Sequence, residues 1–348
     1  LSSPLVRNLF FPTHRHAPKT QGRRTHASGL GRLIAPEEIV VTHGGIEALN
    51  LALRAVTQAG DIVAVESPTF YGLLQILESQ GLRALEIPTS PQTGISLEAL
   101  ELATQIHSGV KALVVVPHLQ SPLGSIMPDE HKARLVAFCE KQALPLIEDD
   151  TYSALCDEET PPRALKAWDH TGNVIHCASL HKILAPGMRL GWISGGRWQA
   201  RVEMFNHAQT HCNEQLAQLA AADFMSSSGY DRHLRQLRAS LRRNRQQMAE
   251  AITAYFPGSS RLNHPNGGLT LWVELAAQIS AQRLFDGALR EGTLVAPGRL
   301  FSNSDRYEHF VRLNCGWAYG ANVDRAVQRL GQLCQRLIEL GATGAAAT

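Results

Sequence analysis

Lysine is scarce in this chain: of 33 Lys and Arg residues only six are lysines. One of the six sits in Ala178-Ser179-Leu180-His181-Lys182-Ile183-Leu184-Ala185-Pro186-Gly187-Met188-Arg189-Leu190-Gly191. That segment follows an apolar run, and Pro186-Gly187 shapes it into a loop. A lysine that its surroundings desolvate is a nucleophile able to form an imine with a carbonyl. Ser179 and Arg189 bring a hydroxyl and a guanidinium suited to a phosphate. Taken alone, the segment reads as readily as an exposed loop lysine.

Three other segments carry chemistry at the ends of apolar runs, where α/β sheets gather ligands. Leu146-Ile147-Glu148-Asp149-Asp150-Thr151-Tyr152 places three acids directly after a strand. Buried acids need partners, so this is either a solvated strand end or a carboxylate facing a cation. His43-Gly44-Gly45-Ile46 opens a helix, whose free N–H groups and dipole favour an anion. It is neither a Gly-x-Gly-x-x-Gly fingerprint nor a P-loop. Arg312, inside the apolar Phe310–Asn314, needs a carboxylate, either an internal acid or a substrate's.

Weaker candidates surround these. His207 and His211 are one helical turn apart, but lack the Glu of a His-Glu-x-x-His site and a third ligand, so no metal is expected. His14 and His16 read as solvated, and Glu66 as a strand-end acid. Trp192, Trp272 and Trp317 flank the loaded segments, as core aromatics also would. The six cysteines form no Cys-x-x-Cys pair and read as buried reduced thiols.

The elements that must position these residues alternate from about residue 36. Strands are expected at Glu38–Thr42, Ile62–Val65, Arg83–Ile87, Lys111–Val116, Leu144–Ile147, Asn173–Ala178 and Leu190–Gly195. Helices are expected at Ile46–Thr57, Leu73–Gln80, Leu97–Ile106 and 129–143. Ile46, Leu49, Leu53 and Val56 share the apolar face of the first. The run Lys111–Val116 reads as buried on both faces. This is an α/β pattern with a mostly parallel central sheet flanked by helices. Long helices follow at about 198–225 and 230–256. Strands at Leu269–Leu275, Thr293–Val295 and Phe310–Asn314 then interleave with helices 281–291 and 322–340, as a smaller C-terminal α+β domain. The division is therefore a basic irregular arm at 1–35, a large domain at 36–225 and a small one at 226–348, hinged near Ser226–Gly229. The tail from Ala342 to Thr348 is expected to fray.

The chain has 348 residues, with 44% hydrophobic and 18% charged residues and a formal net charge of +2. That balance excludes wholesale disorder and nucleic-acid binding by bulk charge. No apolar run reaches the roughly 20 residues of a membrane span, and no secretory leader is read at the start. A cytoplasmic location is expected.

Together the segments resemble the fold-type I, pyridoxal-phosphate-dependent aminotransferases of class I/II. They are most similar to the aminotransferase-like domain of MocR-type GntR regulators. The matching phrases are THGGIEAL, ESPTFYGLL, QSPLGSIMP, IEDDTY, SLHKILAPGMRLGW, GGLTLW, VAPGRLF and VRLNCGW, in family order from about residue 36 to 340. The lysine phrase is the most specific. The resemblance implies pyridoxal 5'-phosphate as cofactor, held through an imine to Lys182, whose freed amine then moves the substrate's Cα proton. It implies that Asp149 pairs with the ring nitrogen and Tyr152 with the ring oxygen. Gly45, Ile46, Ser179 and Arg189 would bind the phosphate, Phe70 would stack on the ring, and Arg312 would grip a substrate carboxylate.

The chain departs from the family pattern at Ser121, where Asn is usual and where the shorter hydroxyl would leave Tyr152 to hold the ring oxygen alone. It departs again at His181, where a small or hydroxyl residue is usual, and in residues 1–35. The expected function is amino-group transfer between an amino acid and a 2-oxo acid by a homodimer. An alternative is an effector-sensing domain that binds a small amine for a regulator, with no winged helix-turn-helix and no direct nucleic-acid contact in these residues. A third is a truncated copy with apolar surface left uncovered.

Overall fold

The computed structural model describes residues 34–107, 109–211 and 213–345. The expected basic arm, with His14 and His16, lies outside them except for Ile34 and Ala35; Ile34 is already buried in core.

The first group of elements is β1 (Val40–Thr42), α1 (Gly45–Val56), β2 (Ile62–Ser67), α2 (Tyr71–Ser79), β3 (Arg83–Ser90), β4 (Gly94–Ile95), α3 (Leu97–Ile106), β5 (Val110–Val115), α4 (Asp129–Lys141), β6 (Leu146–Asp149), β7 (Val174–Ser179) and β8 (Gly191–Ser194). They build an eight-stranded sheet in the order β1-β8-β7-β6-β5-β2-β3-β4. Strands β7, β6, β5, β2 and β3 run parallel, while β8 is antiparallel to both its neighbours. The mostly parallel sheet is as expected. The parallel strands bring Asp149 and Ser179 to one edge, and β8 carries the chain back from the lysine loop beside β1.

Strand β5 shows why its sequence does not alternate. Ala112 and Val114 enter the core on one face, Leu113 and Val115 the core on the other, so no position is left for a polar residue. Helix α1 buries Ala48, Leu49, Leu51, Ala52, Leu53 and Ala55 against the sheet. That face is broader than the expected seam, and Ile46 is left 41% exposed.

The chain continues through α5 (Gln199–Thr210), α6 (Gln215–Ser226), α7 (Ser228–Tyr255), β9 (Arg261–Leu262), β10 (Thr270–Glu274), α8 (Ala281–Arg290), β11 (Ala296–Pro297), β12 (Phe310–Asn314) and α9 (Ala321–Ala345). The strands form an antiparallel sheet in the order β11-β12-β10-β9. Its core joins β10 and β12 to α7, α8 and α9. Two expectations need correction. The helix expected over 198–225 is two helices, because His211 takes φ 66° and the chain turns so that Asn213 can bond the Val41 carbonyl. The strand expected at Thr293–Val295 is displaced to Ala296–Pro297. Thr293 N instead bonds Ala288 O at 2.8 Å and Gly292 N bonds Leu289 O at 3.0 Å, closing the end of α8 with Gly292 at positive φ.

Candidate active site

Four chain segments meet beside the C-terminal ends of β6 and β7. Gly44 has φ 87°, and a Cβ built there would lie 2.9 Å from Arg189 Nη2. Arg189 Nη2 donates to His43 O at 3.1 Å, so the guanidinium lies directly on the glycine turn. A Cβ on Gly45 would lie 3.2 Å from Thr151 Oγ1 and 3.4 Å from Ser179 Cβ. Residues far apart in sequence thus surround the start of α1, because β1 and β7 both flank β8. The amides of Gly45 and Ile46 have no intrahelical acceptor. With Arg189 and Ser179 they form a donor-rich cup suited to an anion; the Thr151 hydroxyl beside them already donates to Asp149.

The three acids after β6 are buried rather than solvated, and alternation along the strand separates their roles. Glu148 is fully buried, and its carboxylate accepts from Leu165 N at 2.7 Å and Lys166 N at 3.0 Å. Asp150 accepts from His118 Nδ1 at 2.7 Å and His176 Nε2 at 3.3 Å. Asp149, between them, points the other way. It is held by Thr151 N at 3.1 Å and Thr151 Oγ1 at 2.5 Å. Burial pushes its carboxyl up to about 6, despite the two bonds from Thr151. Tyr152 is pushed up to about 12 by burial first, then by Asp149, with Arg312 acting the other way and Tyr71 adding to the rise.

Lys182 is exposed by area, as an ordinary loop lysine would be. Its amine nevertheless lies below the usual lysine range, because of partial burial first and then the positive fields of Arg312 and Arg189. The same two guanidiniums therefore border the lysine from the small sheet and from the glycine turn. His181 is lowered by burial, Lys182 and Arg189; its Nδ1 accepts from Gly187 N at 3.3 Å, which stabilises the loop.

Arg312 has no carboxylate within ion-pair distance among the described residues. Its guanidinium carbon lies 5.5 Å from the Tyr71 ring centre and 5.1 Å from that of Phe301, within cation–π range. The internal-acid explanation for this arginine thus finds no partner. A cation held by ring faces, beside a lysine and a tyrosine, is disposed to receive an external carboxylate.

The structure brings together Gly45, Asp149, Tyr152, Ser179, Lys182, Arg189 and Arg312, with Ile46 at the rim. Phe70 lies over Gly72, where a Cβ would be 2.5 Å from its ring, and packs against Tyr71 and the core. Ser121 is buried. Thr151 and Tyr71 went unread in the sequence, although each directly follows a residue that was read. Trp317 is 81% exposed, so it is not the core aromatic its neighbours Trp192 and Trp272 are.

The rings of His207 and His211 lie 4.3 Å apart. His118, Glu148 and Asp150 are close enough together to hold a metal ion. Both nitrogens of His118 already face acceptors, Asp150 and the Arg163 carbonyl at 3.0 Å. The ring is therefore already engaged on both sides within the protein. No helix of the described residues is long and apolar enough to cross a membrane.

This geometry defines an α/β fold with an anion cup, a buried carboxylate and a lysine between two arginines. Residues 12–330 match the family model of aminotransferase class I and II, and the chain belongs to that family. It is 41% identical over 305 residues to the HTH-type transcriptional regulator YdcR of Escherichia coli (strain K12), a match that covers 88% of the chain and 65% of YdcR. It is 29% identical over 336 residues to the 2-aminoadipate transaminase of Thermus thermophilus, covering 95% of the chain and 82% of that enzyme. Among solved structures, LysN from Thermus thermophilus, an alpha-aminoadipate aminotransferase complexed with N-(5'-phosphopyridoxyl)-L-leucine, superposes with a TM-score of 0.83 at 27% identity. That match covers 88% of this chain and 79% of LysN. The fold is that of the fold-type I aminotransferases.

Proposed function

We propose that the chain is a pyridoxal-phosphate-dependent aminotransferase domain that moves an amino group between an amino acid and a 2-oxo acid. The observation that carries this reading is the meeting of Lys182 with Arg189 and Arg312, above a cup closed by Gly44, Gly45 and Ser179. The residues fit the cofactor: a Cβ at Gly44 would intrude on Arg189, and Asp149 is a buried acid aimed away from the His118 pair. Pyridoxal 5'-phosphate supplies there an aldehyde that condenses with amines and a ring that takes up the electron pair of Cα.

In this reading Gly45, Ile46, Ser179 and Arg189 hold the phosphate, with Ser121 and Phe70 as further cofactor contacts. Asp149 holds a proton on the ring nitrogen, and Tyr152 donates to the ring oxygen. Lys182 would hold the cofactor through its aldehyde, and its amine would hold and move the substrate's Cα proton at Nζ; its depressed basicity suits both tasks. Arg312 fixes the α-carboxylate and thereby the direction of the Cα–H bond. The domain division at 36–225 and 226–348, a homodimeric assembly and a cytoplasmic location belong to the same reading. The test is to mix the cofactor-loaded protein with a panel of amino acids. Conversion of the bound cofactor's absorbance to its amine form supports transfer; no conversion with any amino acid refutes it.

A second reading rests on the likeness to YdcR: the same pocket takes the cofactor and a small amine, and the bound state sets the geometry of a DNA-binding module elsewhere in the polypeptide. An in-frame winged helix-turn-helix in the coding sequence upstream favours this sensor; its absence favours the stand-alone enzyme.

A further inference from the structure

The two sheets are joined by one carboxylate that the site itself does not use. Glu86, on β3 of the large sheet, accepts from Ser67 Oγ at 2.6 Å, from Ser302 Oγ at 2.7 Å and from Asn303 N at 2.5 Å. Ser67 ends β2, whereas Ser302 and Asn303 belong to the segment between β11 and β12. Ser67 Oγ also lies 3.3 Å from Tyr307 OH, and Thr69 N donates to Phe301 O at 2.8 Å. All three partners of Glu86 can donate, so the two oxygens of one carboxyl group accept from all of them together.

What this junction holds is the wall on which Arg312 rests. Phe301 is fully buried, directly precedes Ser302, and places its ring 5.1 Å from the Arg312 guanidinium carbon. The same ring meets Tyr71 edge-on at 5.7 Å and Trp272 at 5.3 Å. Trp272 is the cross-strand partner of Arg312 and stacks on Phe310 at 5.3 Å. Tyr71, two residues after Thr69, provides the other ring face against Arg312 at 5.5 Å. Glu86 thus fixes, from the large sheet, both aromatic surfaces that aim a guanidinium on the small sheet.

We propose that Glu86 is a positioning residue for substrate: through Ser302–Asn303 and Ser67 it sets the distance and direction of Arg312 relative to Lys182, and so determines affinity for the amino acid's carboxylate without touching it. This rests on the aminotransferase reading of the site. It predicts a much larger effect on the amino acid than on the cofactor, because the anion cup and Asp149 lie at the ends of β6 and β7, before β8 and at the start of α1, and of the proposed cofactor contacts only Phe70 shares the Ser67–Tyr71 segment.

The test compares wild type, Glu86→Gln and Glu86→Ala, each loaded with pyridoxal 5'-phosphate. Cofactor affinity is read by absorbance, and amino-acid binding by the spectral change on titration. Glutamine keeps one acceptor for Asn303 N, and its amide can donate to the serine hydroxyls turned to accept, so Glu86→Gln should stay within about threefold of wild type. Glu86→Ala should weaken amino-acid binding at least about tenfold, the scale of a misplaced positioning group, with cofactor affinity kept within about threefold. Equal amino-acid binding by Glu86→Ala and wild type overturns the proposal. So does a parallel loss of cofactor and amino acid, or a loss in Glu86→Gln as large as in Glu86→Ala. A wild type that takes up cofactor yet shows no spectral response to any amino acid refutes the aminotransferase reading instead. If Glu86→Ala does not fold, Ser302→Ala takes its place and should show the same selective loss in smaller degree; no selective loss there overturns the proposal as well.

Discussion

At the scale of single residues, the chemistry is set by what surrounds three side chains. Lys182 keeps a basicity below that of a free lysine because two guanidiniums and partial burial disfavour its charge. Removing one of them should raise it: Arg312→Gln should move the lysine's ionisation upward, visible in the cofactor-free protein as a higher pH for labelling of Lys182 by an amine-selective reagent. The same variant should raise KM for the amino acid by about 100-fold, since it removes a charge-assisted bidentate contact, while cofactor binding persists. Asp149 is raised to about 6 by burial. Below that pH it takes up a proton and loses the charge that a protonated ring nitrogen requires. Cofactor affinity should therefore fall as pH drops below about 6, by at most about tenfold per pH unit. Affinity measured by absorbance from pH 5 to 8 checks this, and Asp149→Asn should abolish the dependence and most of the affinity.

At the scale of elements, strand ends and turns bring these residues together. The glycine turn before α1 is one instance. Gly44→Ala adds a Cβ 2.9 Å from Arg189 Nη2 at a residue with φ 87°, so it should weaken cofactor binding more than it lowers the melting temperature. The end of β2 is another. Glu66 is buried there, accepts from Val116 N at 2.9 Å, and is pushed up to about 8 by burial. An acid whose folded-state pKa is raised from 4.5 contributes stability that is present at low pH and lost as pH rises through about 8. Wild type should lose up to about 1.4 kcal/mol per pH unit across that window, and Glu66→Gln should flatten the loss, as measured by denaturant melts from pH 5 to 9. The element order was legible in the sequence because apolar runs such as Lys111–Val116 are dictated by burial on two faces. The site was legible because its residues lie at the ends of those runs. What was not legible was long-range pairing. Nothing local marks Glu86 as a partner of Ser302, Asp150 as a partner of His118 and His176, or Asn213 as the residue that breaks a helix to reach β1.

At the scale of the molecule, the residues proposed to hold the cofactor lie at and around the large parallel sheet, and Arg312, the proposed carboxylate partner, on the small antiparallel one. Contacts between the two, at Glu86 and where Arg245 bonds Asp157 Oδ2 and Gly268 O, each at 2.6 Å, therefore govern how the halves of the site face each other. A homodimer is expected in solution; light scattering should give twice the mass of the 38.0 kDa chain, and a monomer would remove the dimeric part of the reading. The central claim concerns one bond, between the nitrogen of Lys182 and a pyridoxal carbon. Borohydride reduction of the cofactor-loaded protein, followed by peptide mass analysis, tests it most directly. A single pyridoxyl label is expected on the peptide containing Lys182, absent from Lys182→Ala; a label on another lysine, or none, rules that bond out.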